Sequence, residues 1–353
     1  MHFFKSLYIF FIVLALNLFF FSTTNLIAKA FQIEEIEISE PFSNNFNKNA
    51  VINKGFRKAF FKLINSLVKS SDFNKVKAIK LKEIQGMIES FSIKEEKFVD
   101  QTYYVNLGVS FEKKQVFKYL EKKNIFPAQI IKETFLFIPI IVDQESEDVF
   151  IFSKNPIYKK WNISNKNAYL INYLLPTEDL EDLNSIKSKS NNIENYDFKE
   201  IIEKYFLDHS IISLIFKKDK EVIVLSKINI KDETIIKNNS FKNFSFEDND
   251  KLEVLINKLK IIYDDLWKEY NQINTSIKLP LIIKINSKDL NKSLLFEKFL
   301  QEVDLISDYS INKFNKSFIY YEVVFNGTPK QFINIMSNKN YNFDTQKKIW
   351  VLR

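Results

Sequence analysis

The segment Glu133 to Val142 carries the run Phe135-Leu136-Phe137-Ile138-Pro139-Ile140-Ile141-Val142, in which every side chain is apolar. A stretch of this kind reads as a strand buried on both faces, which requires a sheet covered by helices on each side. Pro139 has no N–H to give to a ladder, so the strand is expected at an edge of its sheet, or bulged there.

Strand and helix patterns alternate after it, the order of an α/β layer arrangement. Val149 to Phe152 reads as a short strand. Asn155-Pro156 opens a helix that includes Trp161, with Pro156 in the first turn, where a missing N–H costs nothing. Ala168 to Leu175 is the next strand. A helix at Asp197 to Phe206 and strands Ser210 to Phe216 and Glu221 to Ile230 follow. The Asn-rich stretch Lys237 to Asp250 reads as a loop, with Phe241, Phe244 and Phe246 packing down.

A smaller module precedes this one, over residues 31–125. Phe31, Ile33, Ile36 and Ile38 give an extended stretch that Pro41 ends. Val51, Phe56, Phe60, Leu63, Ile64 and Leu67 make the stripe of an amphipathic helix. Val76, Ile79, Ile84, Met87, Ile88 and Phe91 read as a second helical stretch, interrupted at Gly86. Ile93 to Val99 and Thr102 to Phe111 read as a hairpin, and a helix through Val116, Phe117 and Leu120 completes a β-α-α-β-β-α unit.

The middle module is taken as 133–240 and the last as 250–353. The last opens with the longest helix, on Leu252, Leu255, Ile256, Leu259, Tyr263, Leu266 and Trp267. From Ile277 onward, strand, helix, strand, strand, helix and strand follow in the ferredoxin-like order. The fold class expected is α/β and α+β, as serial small βα modules.

Met1 to Ala30 sets the compartment. Lys5 precedes the apolar run Ser6 to Ser22, and Ala28-Lys29-Ala30 supplies the small-x-small pattern of a signal-peptide cleavage site. Export to the periplasm follows as the expectation. An uncleaved leader would instead anchor the chain at the inner membrane, and this is the one membrane contact expected. A lipid-anchored start is excluded, since acylation needs a cysteine and the chain has Cys 0. No disulfide can therefore hold the fold, and packing must.

The formal charge is +7, and it does not point to nucleic acid. Only Arg57 and Arg353 are arginine, the lysines are interspersed with acids, and groove reading favours the arginine fork. Composition removes most chemistry as well. With the leader gone, His209 is the single histidine, so His/Cys zinc sites and thiol nucleophiles are ruled out. Gly55, Gly86, Gly108 and Gly327 form neither a nucleophile elbow nor a phosphate-cradling loop. No catalytic or cofactor-binding residue is assigned, and no cofactor is expected.

One acidic constellation stands out: Glu178, Asp179, Glu181 and Asp182. These carboxylates could ligate Ca²⁺ or Mg²⁺. The competing interpretation is an acidic first helical turn capped by Thr177.

The chain resembles an exported proteobacterial family catalogued as domain of unknown function 2066. The resemblance rests on the Ala50 to Val68 helix, the Val105 to Phe111 strand, the apolar strand with Pro139 and Val142, and Asn155-Pro156 with Trp161. Pro176 with Asp179-Leu180-Glu181-Asp182, and Trp350, also fit; Thr177 stands where a glycine is expected. It implies an envelope protein and brings no catalytic residue. By strand and helix order alone, the middle module also looks like the N-terminal α/β domain of periplasmic Tol-type and curli-secretion-type proteins.

The function expected is an exported, non-enzymatic cell-envelope protein that binds an unidentified envelope protein, as adaptor or assembly factor. The rival is a carboxylate-dependent, metal-assisted hydrolase centred on Glu178 to Asp182. Strand addition is expected at the Pro139 strand or at the Thr102 to Phe111 hairpin.

Overall fold

The computed structural model describes residues 30–163 and 169–353. The expected leader lies outside them except for Ala30. The described residues mix helices with three sheets, and none of their helices is long and apolar enough to cross a membrane.

The first module is β1 (Ala30–Pro41), α1 (Lys48–Leu67), a 3₁₀ turn (Ser70–Asp72), α2 (Phe73–Val76), α3 (Leu81–Gln85), β2 (Ile88–Val99), β3 (Thr102–Glu112) and α4 (Lys113–Lys122). The sheet order is β1-β3-β2, antiparallel throughout. Asn47 caps α1 through its side-chain oxygen, which accepts from the Ala50 N–H at 3.1 Å. Val51, Phe60, Leu63 and Ile64 bury against Val105, Leu107, Val109 and Phe111 of β3. The two elements approach closely at Gly55, where a β-carbon would collide with Leu107.

The second helical stretch ends earlier than its periodicity suggests. Ile88 and Phe91 belong to β2, because Ile88 is opposite Phe111 and Phe91 opposite Val109. Pairing with β3 wins there over a local spacing that also fits a helix.

The middle sheet has the order β5-β4-β7-β8-β9, with β6 also paired to β4. Its strands are β4 (Glu133–Asp143), β5 (Val149–Phe150), β6 (Ile171–Leu174), β7 (His209–Lys218), β8 (Glu221–Ile230) and β9 (Glu233–Lys242). Interspersed are α5 (Pro156–Lys160), α6 (Leu180–Ser188) and α7 (Lys199–Glu203), followed by α8 (Asn249–Tyr270). β4 is buried on both faces, as its composition requires.

Pro139 is neither at a sheet edge nor in a bulge. β4 pairs with β7 on one side in unbroken register from Leu136 to Asp143. On the other side it meets β6 at Glu133–Leu136 and β5 at Ile141–Val142. Pro139 falls in the gap between those two partners, where no ladder asks for its N–H. The buried Asn155 fills the gap. Its Nδ2 donates to the carbonyls of Pro139 at 3.0 Å and Phe150 at 3.4 Å, and its Oδ1 accepts from the N–H groups of Ile157 and Tyr158, capping α5.

Two further expectations change. Lys237 to Lys242 is not loop but the second half of β9, paired with β8 from end to end. Val149 to Phe152 is strand only at Val149–Phe150 and turns 3₁₀ from Phe152. Phe244 does pack down, with Phe241 and Phe246 partly buried beside it.

Helix α8 packs against the middle sheet, joining Phe135, Phe137, Ile211, Ile215 and Val224 through Leu252, Ile256, Leu259, Tyr263 and Trp267. Inside that core the Tyr263 hydroxyl meets Ser213 Oγ at 2.5 Å and Ser226 Oγ at 2.8 Å. Lys260, Asp264 and Lys268, spaced by four, form a second stripe on the same helix, and all three are buried. Lys260 Nζ donates to the Trp161 carbonyl at 2.6 Å. Asp264 accepts from the Leu170 N–H at 2.7 Å and from Lys268 at 2.8 Å. Lys268 Nζ also donates to the Val68 carbonyl at the end of α1, at 3.2 Å.

The last sheet has the order β11-β12-β10-β14-β13. It is built from β10 (Leu279–Asn286), α9 (Leu290–Glu302), β11 (Ile306–Phe314), β12 (Phe318–Phe325), α10 (Pro329–Ser337), β13 (Phe343–Asp344) and β14 (Ile349–Leu352). A simple split unit would place the strand after α10 beside β10 and antiparallel to it. Here β13 has that direction, but the chain reverses and β14 enters between, parallel to β10. The expected final extended stretch is thus two short strands.

Replacing Asn155 with Ala should leave the buried Pro139 carbonyl without a partner and α5 without its cap. A loss of about 2–4 kcal/mol is expected in denaturant unfolding. Tyr263→Phe, which leaves the two buried serines only their mutual contact at 3.3 Å, should cost about 1–2 kcal/mol in the same measurement.

Candidate functional site

The acidic cluster folds into a helix start. Asp179, not Thr177, is the cap of α6: its Oδ1 accepts from the N–H groups of Glu181 at 2.8 Å and Asp182 at 3.2 Å. The helix begins at Leu180, too late for Thr177, whose N–H and hydroxyl meet the Tyr205 hydroxyl instead. Lys204 Nζ lies 3.2 Å from Asp179 Oδ2 and 2.7 Å from Asp182 Oδ1. The Asp182 N–H and Lys204 hold the Asp179 carboxyl below the usual carboxylate range, and the bond to Asp182 raises the Lys204 ammonium. Glu178 accepts from the Ser153 N–H at 3.2 Å, and Glu181 faces solvent.

Among the described residues, Asp179 is thus occupied with capping α6 and pairing Lys204, Asp182 pairs Lys204 through Oδ1 and leaves its buried Oδ2 without a hydrogen bond, and no group of three or more acidic or histidine side chains is placed to hold a metal ion. Millimolar Ca²⁺ or Mg²⁺ should leave the melting temperature unchanged. A rise that tracks cation concentration would reveal a native site.

His209 opens β7 inside the core rather than in a cleft. Its ring stacks on Phe135 at 4.8 Å and lies 5.3 Å from Trp267, while Nδ1 accepts from the Lys231 N–H at 3.3 Å. Burial lowers its pKa, opposed by Glu133 and Asp208 and assisted by Lys231. The unfolded chain takes up this proton near pH 6.5 while the folded chain resists it. The stability contributed is therefore complete above about pH 6.5 and is lost as pH falls toward the folded pKa. Thermal melting should show a drop on acidification from neutral to pH ~5, which His209→Asn, keeping the acceptor but not the titration, should reduce.

The two edges of the first sheet differ. Along β1, Lys58 Nζ donates to the Glu37 carbonyl at 2.8 Å and Lys62 Nζ to the Glu34 carbonyl at 2.9 Å, with Lys54 paired to Glu40 at 2.6 Å. Three lysines at spacing four on α1 therefore cover that edge. β2 has no such cover among the described residues, and its outer side carries no strand. Phe91, Ile93 and Phe98 point to the helix side of the sheet, opposite Val109, Leu107 and Tyr103. They remain partly exposed because α1 meets this strand at Phe56 and Lys48 without covering the strip. Phe91 touches Phe56 of α1 with ring centroids 5.0 Å apart, and Phe98 touches Phe42 at 5.1 Å.

Of the two docking edges expected, the Pro139 strand is interior and offers none. Thr102 to Phe111 is also interior, as the central β3 paired on both sides, and the open edge of that hairpin is its other strand, β2. Its signal in the sequence is the apolar alternation Phe91, Ile93 next to a strand that already has a buried partner.

The open face of the same sheet holds a polar hollow of about 320 Å³ lined by Glu37, Ser39, Glu95, Lys97, Tyr104 and Asn106. No protein-family model matches the chain, and no curated protein matches it.

Proposed function

We propose that this chain is an exported, non-enzymatic cell-envelope protein that works by binding other proteins, and that β2 is its docking strand. The observation that carries this is the uncovered β2 edge beside exposed Phe91, Ile93 and Phe98, in a sheet whose opposite edge is covered by lysines. An extended segment of a partner added there would gain main-chain hydrogen bonds from β2, and its alternate side chains would meet that apolar strip. The charges Lys94 to Lys97 in the middle of the strand work against indiscriminate edge pairing and favour a partner of matching charge.

The leader pattern supports export, and the resemblance to the family of domain of unknown function 2066 belongs to the same proposal. Metal-assisted hydrolysis at Glu178 to Asp182 has little to support it, since the Asp179 carboxylate is held by two backbone N–H groups and Lys204 and the Asp182 carboxylate by Lys204.

A photoreactive side chain at Ser92 should join a discrete envelope protein in intact cells. Phe91→Lys combined with Ile93→Lys should lower that yield at least about tenfold while the circular dichroism stays unchanged, as for loss of an interface anchor. Undiminished crosslinking in the double variant would refute docking at β2. N-terminal sequencing of chain recovered from the periplasm, starting at Phe31, checks export.

A further inference from the structure

The C-terminal module presents an apolar rim that the β2 edge does not explain. The Ser287 N–H donates to the Ser317 carbonyl at 3.0 Å and its hydroxyl to the Lys316 carbonyl at 2.7 Å. The loop before α9 and the β11–β12 turn therefore form one end of the module. Helix α9 starts there and turns Ser293, Phe296 and Leu300 to the core, which leaves Leu290, Leu294 and Leu295 outside.

Gln301 Nε2 donates to the Tyr309 hydroxyl at 2.5 Å, so α9 lies along β11 with its first turns toward the far end of that strand. Ile311 and Phe314 stand exposed on β11 toward that end. Leu294 is 65 % exposed and Phe314 67 %, values ordinary for lysine and costly for side chains this apolar.

The charge around them is one-sided. Residues 284–298 and 311–318 hold Lys284, Lys288, Lys292, Lys298, Lys313 and Lys316 against two acids, Asp289 and Glu297. Among the described residues none of these six lysines is in a salt bridge; Lys292 Nζ donates to the Arg353 main-chain oxygen, Lys284 and Lys313 lie over the Phe318 and Tyr320 rings on the sheet face away from α9, and Lys288, Lys298 and Lys316 remain beside the apolar rim, while Asp289 caps α9 at the Lys292 N–H, 3.2 Å away. A protein partner that covered leucine and phenylalanine here would have to bury lysines or supply a matching set of acids. An anionic bilayer surface supplies both needs at once. The apolar tips enter the acyl boundary while flexible ammonium stems reach the lipid phosphates.

We infer that this rim, the start of α9 with the β11–β12 end, is a peripheral docking site for an anionic phospholipid surface. It is separate from the leader and independent of the β2 edge.

The chain has no cysteine, so single cysteines can be labelled in the full chain without background. An environment-sensitive dye on Asn291→Cys, at the rim, should shift to the blue with phosphatidylcholine vesicles containing phosphatidylglycerol and not with phosphatidylcholine alone. The same dye on Lys330→Cys, at the start of α10 and the opposite end of the module, should not shift. The leader can carry the whole molecule to a vesicle, but it cannot insert the rim.

Lys288→Gln and Lys316→Gln should each weaken the response about fivefold in vesicle titrations. Leu294→Ser with Phe314→Ser should abolish it; the lysine variants test the same point should that pair fail to fold. A silent dye at 291 on vesicles that the chain sediments with, an equal response at 330, or an equal response to uncharged vesicles would each overturn the inference.

Discussion

The buried stripe Lys260, Asp264 and Lys268 on α8 fastens the ends of α1 and α5 and the start of β6 to one helix. Burying a charge costs several kcal/mol unless partners replace water. Here each group is satisfied largely by backbone: Lys260 at the end of α5, Asp264 ahead of β6, and Lys268 at the end of α1. Burial still raises the Asp264 carboxyl and brings the Lys260 ammonium down to about 8. Moving any one segment away would remove a hydrogen bond from a buried charged group, so the stripe opposes displacement of α1 and β6 relative to α8. The junction is completed by backbone bonds from Ala128 to Leu67 and from Ile273 to Pro127, and by Asp265 accepting from Ser70. Modules one and two are therefore held at one seam.

Edges are treated unequally around that seam. Lysine cover on β1 costs little, because long stems on α1 already lie over the strand and need only turn their ammonium groups to its free carbonyls. The same helix meets β2 through Phe56 on Phe91 and Lys48 on Glu96 without placing a lysine on its outer carbonyls, and β2 is the longer of the hairpin strands. Its two register shifts, at Ile88/Ser90 and Ile93/Glu95, leave a regular stretch between them at Ser90 to Ile93. Bulges and charge limit how long an added strand can be without closing the edge.

Much of this architecture is legible in the sequence because the elements with one buried face announce it. The α1 stripe, the β3 alternation and the unbroken apolar β4 each follow from a period that burial enforces. What escaped did so for physical reasons. β9 is an edge strand with neither face well buried, so Lys237 to Lys242 shows no alternation and looks like loop. Lys260, Asp264 and Lys268 have the spacing of a solvated helix face, and only the tertiary position of α8 distinguishes the two. Thr177 and Asp179 are both good caps; the choice between them depends on Lys204, far along the chain. The β2 edge was visible as a hairpin, but its exposure depends on where α1 ends up.

Pro139 and Asn155 together explain why the middle sheet has fold and no crevice. β4 lies between two parallel neighbours, β6 and β7, and the connecting helices lie on opposite sides, α5 with Phe137 and Ile211 and α6 and α7 with Leu136 and Ile138. In such a sheet the place for a ligand is the gap at the carboxyl end of the strands where the crossovers diverge. Here the chain fills that gap with β5, Phe152 and the Asn155 amide, which turns its donors on β4 and its acceptor on α5. A ligand would have to displace a fully satisfied, fully buried side chain that also caps a helix. The place where such a topology offers a ligand crevice is used here to hold the sheet together.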